Sequence, residues 1–284
     1  MVSSTVGRFN YIQWDDLFEE VKPYQLYMDV PKGFPTRNFT LKLGADETIR
    51  NIRGIEDQFN LDGNGFTVRR QELNVKSLDK DSIEEVYLPS LETMIRDIVG
   101  QDSEIIWFDW RTRTSDRSKT KLPPGTVVDL EDRSIPLAPV TSVHVDQSKD
   151  AAIQRVHRHT GERAEELLKG RVRIINVWRP YNQPVVSDPL AFCDGGSVPQ
   201  DKLIEVDVVR QSYVGESYYP LEYSGYKWHY LDRQTKEEVL FMKMYDSSPM
   251  VKATCCPHAS FRLSGGAGVH RESIEARALV FTPA

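Results

Sequence analysis

Cysteine is nearly absent from this sequence: Cys193, Cys255 and Cys256 are the only three in 284 residues. An odd, low count excludes a disulfide framework and points to a reducing, cytoplasmic setting. The adjacent pair Cys255 and Cys256 reads as two small core or strand residues, and no cysteine spacing resembles a zinc cluster. Long apolar runs are lacking too. No stretch approaches the roughly 20 apolar residues that span a bilayer. The opening MVSSTVGRFNYIQWDDLFEE has no apolar segment of the signal-peptide kind. A membrane role is therefore not expected. Nor is there a basic run: the formal net charge is −6, which disfavours nucleic acid as a partner. Internal repeats and low-complexity tracts are also missing.

What remains is an ordinary globular balance, 39% hydrophobic and 27% charged, in a chain long enough to bury a sizeable core. Residues 82–99 carry apolar side chains at helical spacing, with Pro89 expected to kink or restart the helix. EIIWFDWRTRT (104–114) reads as a strand, and 115–138 as a polar surface loop. DGNG at 62–65 has the opening of a calcium-binding loop without its closing acid or flanking helices, so a tight turn between strands is expected. VTSVHVD (140–146) alternates as a short strand should. Residues 150–170 read as one amphipathic helix stopped by Gly170. Strand then follows strand: 171–180, 203–214, 226–232, 237–246, 251–258 and 272–281. Serial strands without helices between them favour an antiparallel sandwich or barrel. The expected fold is mainly β with flanking helices. It has a double-stranded β-helix core, jelly-roll and cupin-like, over 140–284, with helices and supporting strands over 1–139. All 284 residues are read as one domain.

The chemistry sits in His144-Val145-Asp146. On a strand, residues i and i+2 point the same way, so this His and this carboxylate share a face. With a third ligand from a distant strand, two His and one carboxylate occupy one face of an octahedral iron(II) and leave the opposite positions open for O2 and a co-substrate. His258, ending the expected VKATCCPH strand, supplies that ligand. The motif alone is weak: 6 His and 42 acidic residues in 284 give about one match by chance. A second match, His270-Arg271-Glu272, has almost no chain left to supply partners. Arg271 and Arg277 lie on the last strand and suit a dicarboxylate co-substrate such as 2-oxoglutarate through their planar forks. Ser273 completes an Arg-x-Ser pair that could grip one carboxylate. One of these arginines pairing with Glu275 instead is the plain alternative. His157 and His159 read as a solvated helix face, and His229 as a strand or core histidine. Trp107, Trp110, Trp178 and Trp228 fit either a pocket or core packing.

NVWRPYNQPVVSDPLAFCD (176–194), FMKMYDS (241–247), PHASF (257–261) and RESIEARALVF (271–281) together resemble a fungal family of hydroxylases and desaturases. It includes aspergillic acid hydroxylase, gibberellin desaturase and relatives of the cephem methoxylase subunit. The resemblance is strongest over 140–281. It implies Fe(II) and 2-oxoglutarate, with His144, Asp146 and His258 as metal ligands and Arg271 or Arg277 as the co-substrate anchor. It also implies that Asn176, Trp178 and Arg179 lie near a pocket for a small-molecule substrate of secondary metabolism. Two alternatives stay open: an iron oxidase of the same fold without 2-oxoglutarate, and a cupin-like binding or isomerase module. The residues do not reveal the substrate, the reaction outcome or whether the chain forms a homodimer.

Overall fold

The computed structural model describes residues 3–75, 77–120, 128–263 and 268–283. Two layers of strands enclose a jelly-roll core. The major sheet has the order Phe66–Arg70, Glu238–Asp246, Arg171–Pro180, Glu272–Thr282, Glu104–Thr114, and every pairing is antiparallel. The period of two gives each strand two faces. On Glu272–Thr282, Ile274, Ala276, Ala278 and Val280 face outward under a helix, while Leu279 and Phe281 join the interior between the layers. Ser273, Glu275 and Arg277 share the parity of that interior face. Residues 80–99 form the covering helix, whose Ile83, Tyr87, Leu91 and Ile95 are buried at helical spacing. Each such fully buried aliphatic side chain contributes about 1.5–3 kcal/mol.

The second layer begins as the sheet Ser4–Gly7, Glu47–Asn51, Trp228–Tyr230, Leu190–Cys193, His258–Ser260. A separate sheet, Val214–Pro220, Leu203–Arg210 and Tyr24–Tyr27, lies beyond it. The segment around His144 joins the two. His144 N–H donates to His258 O at 3.2 Å and His258 N–H to His144 O at 3.0 Å. Val145 exchanges the same pair of bonds with Tyr218, at 2.9 and 3.0 Å. The His-x-Asp motif is thus spliced between two sheets as isolated bridges, not as the regular strand its alternation suggests.

Other local expectations also change. The 82–99 helix absorbs Pro89 by a π turn at Ile83–Tyr87, whose wider loop precedes the regular helix Leu88–Val99. Proline cannot donate, and its ring would strike the carbonyl four residues back in an α-turn. DGNG is a one-turn helix, Leu61–Asn64, ended by Gly65 at φ +81. A Cβ at Gly65 would stand 2.8 Å from the Cys255 carbonyl, so glycine is needed there twice over. The 150–170 helix breaks after Lys149–Thr160, at Gly161 with φ +55, and resumes as a single turn at Ala164–Leu167. Residues 251–257 are not a strand; His258 begins one and does not end it. Residues 203–214 divide into two strands of a hairpin. Part of the expected 115–138 loop, 121–127, lies outside the described residues.

Candidate metal centre and its cavity

His144, Asp146 and His258 offer ligand atoms that all lie within 4.8 Å of one another. Each Nε2 is 3.9 Å from an Asp146 oxygen, His144 facing Oδ1 and His258 facing Oδ2. The ring orientation has a local cause. Nδ1 of His144 is 2.9 Å from Ser142 O, and Nδ1 of His258 is 3.2 Å from Cys256 O. A carbonyl can only accept, so Nδ1 carries the proton and the Nε2 lone pair turns toward Asp146. Burial, and then the neighbouring His258, push His144 down to about 3, so its imidazole is neutral near pH 7. Burial alone would raise Asp146. The Arg277 guanidinium, then His258 and His144, hold its carboxyl well below the usual range, and it stays ionised. Two imidazoles with Nε2 turned inward and one carboxylate, converging from one side, fit a ferrous ion with open positions opposite.

Asp146 is itself held. Asn176 Nδ2 donates to Oδ2, Arg277 Nη2 donates to Oδ1 at 2.9 Å, and Ser217 Oγ donates to its backbone O at 2.9 Å. Arg277 also donates to Glu275 at 2.6 and 3.0 Å and approaches Asp109 at 3.4 Å. Three carboxylates therefore surround it. Arg271 differs. It is 3% exposed, and its Nη1 donates to Asp188 O at 2.7 Å and Ser260 Oγ at 3.1 Å. Among the described residues it has no carboxylate within bonding reach, its Nε has no partner, and neither does Ser273 Oγ. Burial, and then Arg113, push it down to about 9. Its guanidinium lies 5.6 Å from the Trp178 ring. Arg271, Trp178, His144, His258 and Ser260 line one small hollow. Asp188, which holds Arg271, has φ +48, an uncommon conformation that aspartate tolerates.

A larger cavity of about 530 Å³ opens beside His144 and Asp146. Its walls are apolar at Val128, Leu130, Leu137, Val140 and Val208.

A protein-family model described as an oxidoreductase/YMDC permease-like domain matches residues 9–281. The hydroxylase/desaturase efuI of Hormonema carpetanum is 32% identical over 253 residues, 82% of each chain. The Fe(II)/2-oxoglutarate-dependent dioxygenase nvfI of Aspergillus novofumigatus is 31% identical over 243 residues, again 82% of each chain. This chain belongs to the fungal Fe(II)/2-oxoglutarate-dependent hydroxylase/desaturase family. A solved structure of the iron and alpha-ketoglutarate-dependent endoperoxidase NvfI superposes with a TM-score of 0.84 at 26% identity, covering 99% of both chains. Although the family description mentions a permease, no helix among the described residues is long and apolar enough to cross a membrane.

In this hydroxylase/desaturase-family chain the other residues singled out from sequence divide by strand face. Asn176 and Trp178 point inward, one onto Asp146 and the other beneath Arg271. Arg179 points the other way. Its Nη2 donates to Gln71 O at 2.9 Å, and its guanidinium lies over Tyr87 of the covering helix, so it packs the outside of the sheet. Trp107 and Trp110 are also on that outer side, and Trp228 packs with Phe9 and Tyr226. His229 packs against Phe59 and Phe66. Sequence reading missed Asp109, Arg111 and Arg113, which line the cavity. Their signal was present: charges at every second position of FDWRTR give that strand one polar face. It also missed Arg155 and Arg158, which reach the cavity from the Lys149–Thr160 helix.

Proposed function

We propose that this chain is an Fe(II)/2-oxoglutarate-dependent oxygenase of fungal secondary metabolism that oxidises an unactivated C–H bond of a small molecule. Hydroxylation, desaturation and oxidative cyclisation are the outcomes this chemistry allows. In this reading His144 and His258 hold the metal through Nε2 and Asp146 through its carboxylate. Asn176 and Arg277 fix the carboxylate. Arg271 and Ser273 take the remote carboxylate of 2-oxoglutarate, with Trp178 forming the floor beneath. The observation carrying the reading is the junction of three converging metal donors with a buried arginine that has no anionic partner. A buried guanidinium without an anion is costly, and a buried hydroxyl without a partner adds to that cost. A dianion relieves both.

Iron(II) with 2-oxoglutarate supplies oxygen activation coupled to oxidative decarboxylation of the keto acid to succinate. The protein's own part is positional. The carbonyls of Ser142 and Cys256 keep both imidazoles turned toward the metal. Arg277 keeps Asp146 ionised. The apolar wall at Leu137, Val140 and Val208 excludes water and holds the substrate carbon in place. Three cysteines, free and buried, support a reducing, cytoplasmic setting.

The test is incubation of purified protein with iron(II), ascorbate, 2-oxoglutarate and extracts of the producing fungus, reading product mass and succinate together. Succinate formed in step with oxidised product is expected. Product without succinate would favour the oxidase that dispenses with 2-oxoglutarate. Full activity in His144→Ala would refute the metal assignment.

A further inference from the structure

The large cavity holds more positive charge than its own acids balance. Three acidic residues line it: Asp109, Asp146 and Glu216. Asp109 and Asp146 are engaged by Arg133 and Arg277, and Glu216 by Lys22 and Ser148. Four lining arginines, Arg113, Arg155, Arg158 and Arg210, make no salt bridge among the described residues. Three of these four gather around one ring. The guanidinium carbons of Arg158, Arg155 and Arg210 lie 4.2, 4.8 and 4.9 Å from the Tyr213 centroid. The guanidinium of Arg155 is also 5.1 Å from the Phe108 ring, and Arg210 Nε is buried without a partner. A second cavity of about 330 Å³ meets the first across Arg155, Arg158, Arg210 and Tyr213. Its acids are Asp109 and Glu131, and Glu131 accepts from Ser212.

We propose that the substrate carries a carboxylate, held by Arg155, Arg158 and Arg210 around Tyr213, which sets the oxidised carbon far from the acid group. This rests on the oxygenase reading and deepens it. Arg155 and Arg158 are three apart on the Lys149–Thr160 helix and so share a face. They lie about 9 and 14 Å along its axis from Lys149, the end next to Asp146. The cavity that holds both the arginines and two of the metal donors is also lined by apolar groups, Leu137, Val140, Val208 and Val214. The complementary ligand is an apolar skeleton with an anionic tail. Planar guanidinium forks suit a carboxylate, and aromatic stacking holds them in place without neutralising them. Burial, opposed by Tyr213 but helped by Arg210 and Arg277, pushes Arg155 below its usual value, a strain an anion would remove.

The test uses the full chain, anaerobic, saturated with iron(II) and 2-oxoglutarate. The visible charge-transfer band of that complex reports the oxygenase site by itself. Decanoate and methyl decanoate are then titrated by calorimetry. The acid is expected to bind about ten- to a hundredfold more tightly than the ester. In Arg155→Gln/Arg158→Gln that preference should vanish while the band is unchanged, and Arg155→Lys/Arg158→Lys should recover part of it. Equal binding of acid and ester, no acid binding at millimolar concentration, or a preference surviving in the Gln variant would overturn the proposal. A missing band in wild type would instead count against the oxygenase reading, leaving the acid preference to be judged by the titration alone.

Discussion

Arg271, just before the strand Glu272–Thr282, and Arg277 within it are six residues apart, yet their surroundings are opposites. Arg277 is enclosed by Glu275, Asp109 and Asp146. Among the described residues the Arg271 guanidinium donates to a carbonyl and a hydroxyl, and to no carboxylate. Both are buried, so water screens neither charge. The first is complete within the fold, and its role is to hold other groups still. The second has no anionic partner among the described residues, and that is the basis for proposing it as the co-substrate anchor. A buried charge therefore marks a binding site through what it lacks, and burial alone does not distinguish the two.

The contrast can be broken experimentally. Arg277→Gln should cost about 3–5 kcal/mol of stability, measured by urea unfolding, because Glu275 and Asp109 lose their partner. It should also change the acid response. Burial alone would raise Asp109, but Arg277 and then Arg111 hold it below the ordinary range. Its contribution to stability is thus complete above the unfolded value of about 4 and fades as pH falls through the lower folded value. In Arg277→Gln this contribution should be smaller and its loss complete at a higher pH; an unchanged acid transition would contradict this cluster. Next in size is the metal effect. At a free iron(II) concentration a hundred times its Kd, anaerobic wild type should gain about 2.7 kcal/mol, and His258→Ala should gain none. Arg271→Gln should weaken 2-oxoglutarate about ten- to a hundredfold by titration, with unfolding stability retained. Losing stability as severely as Arg277→Gln would erase the distinction drawn here. The smallest expected change is Ser273→Ala, about two- to tenfold in 2-oxoglutarate affinity.

Much of this architecture could be read from residue pattern alone. Strands 104–114, 171–180, 237–246 and 272–281 stand within a residue or so of their observed bounds, because β-branched and aromatic residues dominate them. The spacing of His144, Asp146 and His258 also pointed to a common centre. Other features depend on tertiary context. VTSVHVD alternates like a strand, but its neighbours leave it only isolated bridges, at Ser142, His144 and Val145. Gly161 interrupts a run that is amphipathic on either side. Leu190–Cys193 is too short and too uniformly apolar to show a period. Arg271 and Arg277 were indistinguishable in sequence because their difference lies in Asp109, Asp188 and Ser260, contributed by other strands and turns. Arg179 is one position from Trp178, and that single step sends it to the opposite face of the sheet.

The paired main-chain bonds between residues 144 and 258 have a wider consequence. The two histidines proposed to hold the ion lie, with the neighbouring Val145–Tyr218 pair, where one sheet meets the next, so an occupied centre would act as a rivet across that seam. Amide exchange there should slow on metal loading more than anywhere else in the chain. Substitutions that merely loosen the stitching, with every ligand intact, should empty the centre well before the barrel unfolds.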